Sequence, residues 1–318
     1  MLKIPVKLIN AIARNSDRTG SPARNALIDE ILGRHGEAAQ AILFYGSCLR
    51  SGDDLDGLVD LYLLVDDYRS AYKSRLQASL NVLLPPNVYY LEKKLNGHVV
   101  RAKYAVLSLA DFKKGTSTRW FHSYLWGRFC QPTALLFARN EEVAQRVFTC
   151  IAQAALTFVR RVLPEIPPEF TVRQLWGRGL ALSYGAELRS ENPQKRARLF
   201  DAAAAYYEEI TGLTLEALSY PVQVDRSDAL PRYRLHIAAG RRQVSRLAWK
   251  LRSWQGKLLS ILRLLKATAT FEGGVDYILW KIERHSGVTV HAEPRLKKHP
   301  LLAMWVLSWR LYRKGGFR

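Results

Sequence analysis

Four short stretches of the 318-residue chain carry residue types suited to handling phosphate. Gly46-Ser47 follows an apolar run, Ala41 to Tyr45. A glycine there lets the backbone approach a phosphate closely, and the serine offers a hydroxyl and an amide to its oxygens. Asp60 stands in a second apolar run, Leu58 to Val65, where a carboxylate can hold Mg²⁺ and offset phosphate charge. Lys103 lies inside a third, Val99 to Leu107; an unpaired ammonium is costly to bury, and a phosphate partner rationalises it. Arg128 follows Gly127 in an aromatic-rich stretch and can clamp a phosphate bidentately. Phosphoryl transfer needs this kind of positioning and charge neutralisation above all. Each residue also has a plainer reading. Gly46-Ser47 reads as a turn, Asp60 and Asp66 as solvated carboxylates at strand ends, Lys103 as an edge-strand residue facing water, and Arg128 as a side chain snorkelling from a helix end.

The elements that must position these groups follow from periodicity. Residues 24 to 34 place apolar groups at helical spacing, ending near Gly36. Ala41 to Tyr45, Leu58 to Val65, Val88 to Leu95 and Val99 to Leu107 read as strands. The last two flank Asn96-Gly97, a strong hairpin signal, so a small and mostly antiparallel sheet is expected. Helices are expected over Glu141 to Val162, Val172 to Arg189 and Ala197 to Thr211, with an irregular stretch from Ser219 to Ile237 and a basic, mostly helical remainder. The fold class is therefore α+β. The expected division is a catalytic domain over 1–138, a helical domain over 139–240 and a basic amphipathic region over 241–318.

Charge is the unusual bulk property. Lys and Arg number 48 against 28 Asp and Glu, a net +20, and residues 241–318 hold 17 of the former against 4 of the latter. Attraction to polyanions follows, whether nucleic acid, an anionic bilayer or phosphorylated substrates. Ser253 to Ala267 sets Leu and Ile on one helical face with Lys257, Arg263 and Lys266 interrupting the other. Leu301 to Arg318 adds Trp305, Trp309 and Tyr312 beside Arg310, Arg313 and Lys314, a mixture suited to a lipid headgroup layer. The other reading of such helices packs the apolar face on the protein and leaves the basic face in water. Cys48, Cys130 and Cys150 are too few and too scattered for a disulfide framework, which fits a reducing compartment. No Cys/His spacing suits zinc, and no Ser-His-Asp or Cys-His arrangement stands out. The first residues lack the features of a secretory signal, and no uninterrupted apolar window is long enough to span a bilayer.

Several segments, in order, resemble the mitochondrial-type phosphatidate cytidylyltransferases of the translocator-maintenance family. They are Phe44-Tyr45-Gly46-Ser47, Asp60 with Val65-Asp66-Asp67, Val88-Tyr89-Tyr90, Lys103-Tyr104, Trp120 followed by Tyr124, Gly127, Arg128 and Pro132, and Leu182-Ser183-Tyr184. Together they cover residues 41 to about 190. Cys48 stands where that family usually has a second Gly, Ala105 where Gly normally follows Lys-Tyr, and Gln131 where Lys is common. The chain looks like a diverged, bacterial-type relative.

The resemblance implies a nucleotidyltransferase-like mixed sheet with flanking helices and a helical second domain, of which a winged helix is one form. It implies CTP bound at Tyr45, Gly46, Ser47, Lys103 and Tyr104, and Mg²⁺ held by Asp60 with Asp66 as a second carboxylate. Asp60, Lys103 and Arg128 would act on the transferring phosphoryl group. The implied reaction is CTP plus phosphatidate giving CDP-diacylglycerol and pyrophosphate. Its setting would be an anionic membrane surface, on the cytoplasmic inner face or the matrix side of an organelle, with no nucleic-acid partner and no transmembrane span. Asp60 and Asp66 share strand parity but lie roughly 20 Å apart on a straight strand, too far for one ion. Two alternatives stand beside this reading: a nucleotidyltransferase acting on RNA, protein or a small molecule, and a non-catalytic membrane or nucleic-acid binding relative.

Overall fold

The structure, a computed structural model, describes residues 4–17, 20–52, 57–188, 193–218, 220–225 and 231–270. The amphipathic segment Leu301 to Arg318 and the acids Asp53, Asp54 and Asp56 lie outside these residues.

A five-stranded mixed sheet forms the centre. Its strands are β1 (Ala39–Tyr45), β2 (Leu58–Val65), β3 (Asn87–Leu95), β4 (His98–Ser108) and β5 (Ala134–Ala138), in the order β3-β4-β2-β1-β5. All neighbours run antiparallel except β2 and β4, which are parallel. Asn96 (φ 47°) and Gly97 (φ 81°) turn the β3–β4 hairpin with both central residues at positive φ, as a two-residue turn of this hand requires. β5 escaped the sequence reading because five residues beside a Pro and an aromatic-rich loop carry too little periodicity.

Both faces of the sheet are covered, so its central strands are near-continuous apolar runs. One face, with Ile42, Phe44, Leu61, Leu63, Tyr104 and Val106, packs with Leu27, Ile28 and Ile31 of α2 (Pro22–His35). Ser21 caps that helix by accepting the Arg24 N–H at 3.1 Å. The opposite face, with Ala41, Leu43, Tyr62, Leu64, Ala105 and Leu107, shares a core with α1 (Val6–Ser16) and α8 (Glu141–Val162). Between the strands lie short helices α3 (Ser47–Ser51), α4 (Tyr68–Ala71), α5 (Arg75–Leu83), α6 (Leu109–Thr116) and α7 (Trp126–Phe129).

α8 occupies the span its periodicity predicts. Asn140 caps it by accepting the Val143 N–H at 2.9 Å, Glu141 and Glu142 open it, and Arg160 and Arg161 close it, each sign placed where the helix dipole favours it. It is long and apolar enough to cross a membrane by length and composition, but 72% of its most apolar window is buried in the protein core. After a short strand β6 (Glu169–Thr171) come α9 (Val172–Gly185), α10 (Pro193–Asp201) and α11 (Ala204–Ala217). The single helix expected over 197 to 211 is thus two. β7 (Gln223–Asp225) and β8 (Arg232–Arg234) join β6 in a small sheet within the stretch expected to be irregular, and α12 runs from Ala239 to Thr270.

The apolar core does not break at residue 138. Leu43, Tyr62 and Leu107 of the sheet belong to one cluster with Ile151 and Phe158 of α8, Trp176 of α9 and Tyr207 of α11. Phe158 stacks on Trp176 with ring centres 4.6 Å apart, and a Cβ added at Gly179 would come within 2.3 Å of Phe158 Cζ. Gly179→Ala should therefore lower stability by about 1–3 kcal/mol, despite the better helix propensity of alanine, read as a lower denaturant midpoint at unchanged slope.

Candidate active site

Register places the phosphate-type residues in one row. Tyr45 on β1 is opposite Asp60 on β2, Asp60 is opposite Lys103 on β4, and Lys103 is opposite Tyr90 on β3. Alternation turns Asp60 and Lys103 to the face of Tyr62, Leu64, Ala105 and Leu107. The row lies at the margin of the helix-covered core, where the strands pass from apolar to polar residues. Lys103 Nζ is 3.5 Å from Asp60 Oδ1, with both side chains partly exposed.

Gly46 links β1 to α3 at φ 93°, a backbone that side chains resist, and an added Cβ would stand 2.9 Å from Asp60 Oδ2. Glycine is thus required twice, by the turn and by the carboxylate packed against it. Ser47 follows, exposed, as the first residue of α3, and Arg50 extends from the same short helix.

Arg128 closes the site from α7. Gly127 lets this helix abut α9: a Cβ there would lie 3.0 Å from Ser183 Cβ. Two segments that carry the family resemblance, far apart in sequence, meet at this contact. The Arg128 guanidinium donates to Tyr62 Oη at 3.3 Å and Tyr45 Oη at 3.4 Å, pairs with Glu187 at 3.5 Å, and lies over the Tyr124 ring at 4.6 Å. Burial works against its charge, but Tyr62, Tyr124, Tyr45 and Glu187 outweigh it, and the arginine is held well above its usual pKa. Arg128 is a fixed cation at any working pH.

These groups line a cleft of about 370 Å³ whose wall includes Gly46, Ser47, Arg50, Asp60, Lys103, Arg128 and Glu187. Three cations face two carboxylates there, a balance that suits a polyphosphate. The sequence reading missed Arg50 and Glu187, which no local motif marks. Glu187 comes from just past the end of α9, and only tertiary packing brings it across from Asp60. Among the described residues no group of three or more His, Cys, Asp or Glu side chains is disposed to hold a metal ion. A Mg²⁺ ion at this cleft would have one protein carboxylate, Asp60, with water and phosphate oxygens completing its shell.

Two expected site residues lie elsewhere. Asp66 follows the far end of β2, six residues beyond Asp60, where its Oδ1 accepts the Asp67 N–H at 2.6 Å and the Ser70 hydroxyl at 2.7 Å. It shapes the turn into α4 and does not join Asp60. Tyr104, next to Lys103 on β4, points through the sheet to the α2 face, 1% exposed and stacked on Tyr89 at 5.2 Å. It is a core residue, as alternation along a strand demands. Tyr45 is among the residues that line the cleft.

The positions that depart from the family pattern are filled by well-packed side chains. Cys48 is buried with its thiol toward the Leu58 carbonyl at 3.1 Å, and Ala105 is in the core. Gln131 Nε2 donates to the Gly127 carbonyl at 3.0 Å while its Oε1 accepts from Tyr184 at 3.3 Å.

α12 crosses the body beside this cleft with an unexpected face inward. Trp249 Nε1 donates to the Arg161 carbonyl at 3.1 Å, Arg252 Nε to Phe121 O at 2.7 Å and Ser253 Oγ to Gly185 O at 3.2 Å. A Cβ on Gly256 would strike Ala186 O at 2.2 Å. Further along, Arg263 Nε donates to Pro85 O at 3.0 Å, and Lys266 Nζ to Leu84 O at 2.6 Å and Pro86 O at 2.8 Å. The apolar stripe Val244, Leu247, Leu251, Trp254, Leu258, Ile261 and Leu265 stays exposed, from 41% to 69%. This reverses the arrangement in which an amphipathic helix packs its apolar face on its own protein.

Compared with models of known protein families and with curated proteins, the chain matches none.

Two outcomes follow from this geometry. Gly46→Ala should leave a folded protein but strain the turn and push Asp60 aside, costing about 1–3 kcal/mol of stability, read from a thermal melt. His122, buried next to Arg263, has its pKa pressed down to about 3 by burial and by that guanidinium. The unfolded chain takes up this proton near 6.5 while the folded chain resists, so stability should fall by up to about 1.4 kcal/mol per pH unit as pH drops from 6.5 toward 3. In His122→Asn, denaturant titrations over that window should show a shallower decline.

Proposed function

We propose that this chain is a Mg²⁺-dependent nucleotidyltransferase that transfers the cytidylyl group of CTP to phosphatidate, giving CDP-diacylglycerol and pyrophosphate. The observation that carries the transferase reading is the convergence of Gly46, Ser47, Asp60, Lys103 and Arg128 on one cleft from four separate elements. The choice of CTP and phosphatidate rests on the resemblance of residues 41 to about 190.

In this reading the triphosphate lies over the Gly46 turn, where the missing side chain admits phosphate oxygens to the backbone and the Ser47 hydroxyl donates to them. Lys103, held 3.5 Å from Asp60, exchanges that carboxylate for a phosphate oxygen. Arg128, caged by Tyr45, Tyr62 and Glu187, offers a guanidinium whose orientation is set before substrate arrives. Mg²⁺, when bound at Asp60, would neutralise phosphate charge and orient the triphosphate. A phosphate oxygen of phosphatidate attacks the α-phosphorus of CTP, forming the new P–O bond. The bond to the β-phosphate breaks, and its electron pair leaves with pyrophosphate. The nucleophile is already ionised near neutral pH, so no general base is required.

The exposed stripe of α12 supports a lipid acceptor. Its Leu, Val, Ile and Trp side chains face outward and Lys250 and Lys257 lie among them, a pattern suited to the headgroup boundary of an anionic bilayer. The protein would act peripherally, on the cytoplasmic face of a membrane or the matrix side in an organelle.

Pyrophosphate release is the test, with Mg²⁺, phosphatidate in mixed micelles and each of the four ribonucleoside triphosphates. Release is expected with CTP alone, abolished by EDTA and reduced at least ~100-fold in Asp60→Ala. Silence with all four nucleotides in folded protein would sink the assignment.

A further inference from the structure

Arg128 is not held by cleft residues alone. Tyr124, from the loop before α7, lies 4.6 Å below its guanidinium and accepts the Tyr62 hydroxyl at 3.1 Å. Tyr62 in turn accepts from Arg128. A second guanidinium, Arg263 of α12, lies 4.2 Å from the centre of the same Tyr124 ring. Burial alone would raise the Tyr124 pKa, yet Arg128, Arg263 and the Tyr62 hydrogen bond together bring it below its usual value. Tyr124 is thus electrostatically engaged by both arginines, one in the cleft and one on the helix with the exposed apolar stripe.

Arg263 is where it is because α12 is seated. Its Nε donates to Pro85 O, and Lys266, one turn on, clasps the carbonyls on either side. Withdrawal of this part of α12 would remove one of the two cations from Tyr124 and relax the packing of the ring on which Arg128 lies. Arg128 would lose part of the packing that sets its tilt.

We propose that Arg263 is a positioning residue for the cleft, acting on Arg128 through Tyr124, so that the seating of α12 sets the affinity of the cleft for a polyphosphate. This rests on the reading of the cleft as a triphosphate site. Arg263 touches no substrate. A helix whose other face suits a lipid surface would thereby report its own placement to the site that handles phosphate. Linkage makes the effect reciprocal: a polyphosphate in the cleft must favour the seated helix by the same factor.

The test uses the full chain without lipid and inorganic pyrophosphate with Mg²⁺ as probe, titrated by calorimetry. Arg263→Gln should weaken binding about tenfold, a typical coupling between linked sites, and Arg263→Lys should recover part of it. In Tyr124→Leu the further change Arg263→Gln should cost little, because its route to Arg128 is already cut. Additive losses would mean that Arg263 acts only through its long-range charge, and would overturn the proposal. Arg128→Gln separates the two levels. If it weakens binding while Arg263→Gln does not, the proposal falls and the cleft reading stands; if neither matters, both fall. Hydrogen exchange of the wild-type protein avoids any folding defect. Saturating pyrophosphate should slow exchange of α12 amides near Arg263, and protection confined to the cleft would overturn the proposal.

Discussion

The site depends on one pairing, the parallel register of β2 against β4 that sets Asp60 opposite Lys103. A one-residue slip would turn one of the two to the other face of the sheet, since side chains alternate. Both faces are packed, so such a slip would also drive Tyr104 or Leu61 into the wrong layer. The apolar residues further along the strands therefore hold the polar pair in register. Gly46 then brings β1 alongside at a distance that admits no side chain, and the carboxylate is gripped between turn and lysine.

Arg128 solves a different problem. A guanidinium in a largely enclosed place needs acceptors, and among the described residues its ion pair is with Glu187. The rest of the cage is phenolic: two hydroxyls as acceptors and two ring faces, of Tyr124 and Tyr45. Hydroxyls and rings compensate the charge only in part, which leaves it available to an incoming anion while fixing its direction. Such a cage recruits side chains from β1, β2, the loop before α7 and the end of α9, so the site and the core stand together.

Much of this was legible in the sequence, for identifiable reasons. Strands β1 to β4 and helix α8 carry strong periodicity, whereas the meeting of Asp60 and Lys103 on one face comes from the β2–β4 register. Gly46-Ser47 is legible beside the other segments rather than by itself, since glycine at a strand end is also the ordinary mark of a turn. Tyr104 was misplaced because a resemblance that runs along the chain treats neighbours as companions, whereas on a strand they face apart. Asp66 was brought to the site by the resemblance alone, against the strand spacing that already set it roughly 20 Å from Asp60. Glu187 and Arg50 were not legible, because their roles exist only once α9 and α3 meet across the cleft. The inward face of α12 was hidden for a subtler reason: its acceptors are backbone carbonyls, which leave no trace in residue types.

That last feature has an evolutionary side. Wherever α12 is fastened by side-chain donors to the carbonyls of residues 84–86, 121, 161 and 185, the acceptor strip is chemically the same whatever side chains those positions bear. In these hydrogen bonds the side-chain constraint falls on the helix, on its Trp, Arg, Ser and Lys. Mutations beneath it that keep the backbone path spare these hydrogen bonds, while Phe121, Tyr124 and Trp126, whose rings meet Arg252, Arg263 and Trp249, stay constrained. In descendants of this chain the donors of α12 should read as conserved, with less constraint on the side chains whose carbonyls they reach, an asymmetry that pairwise co-variation between the two would not detect.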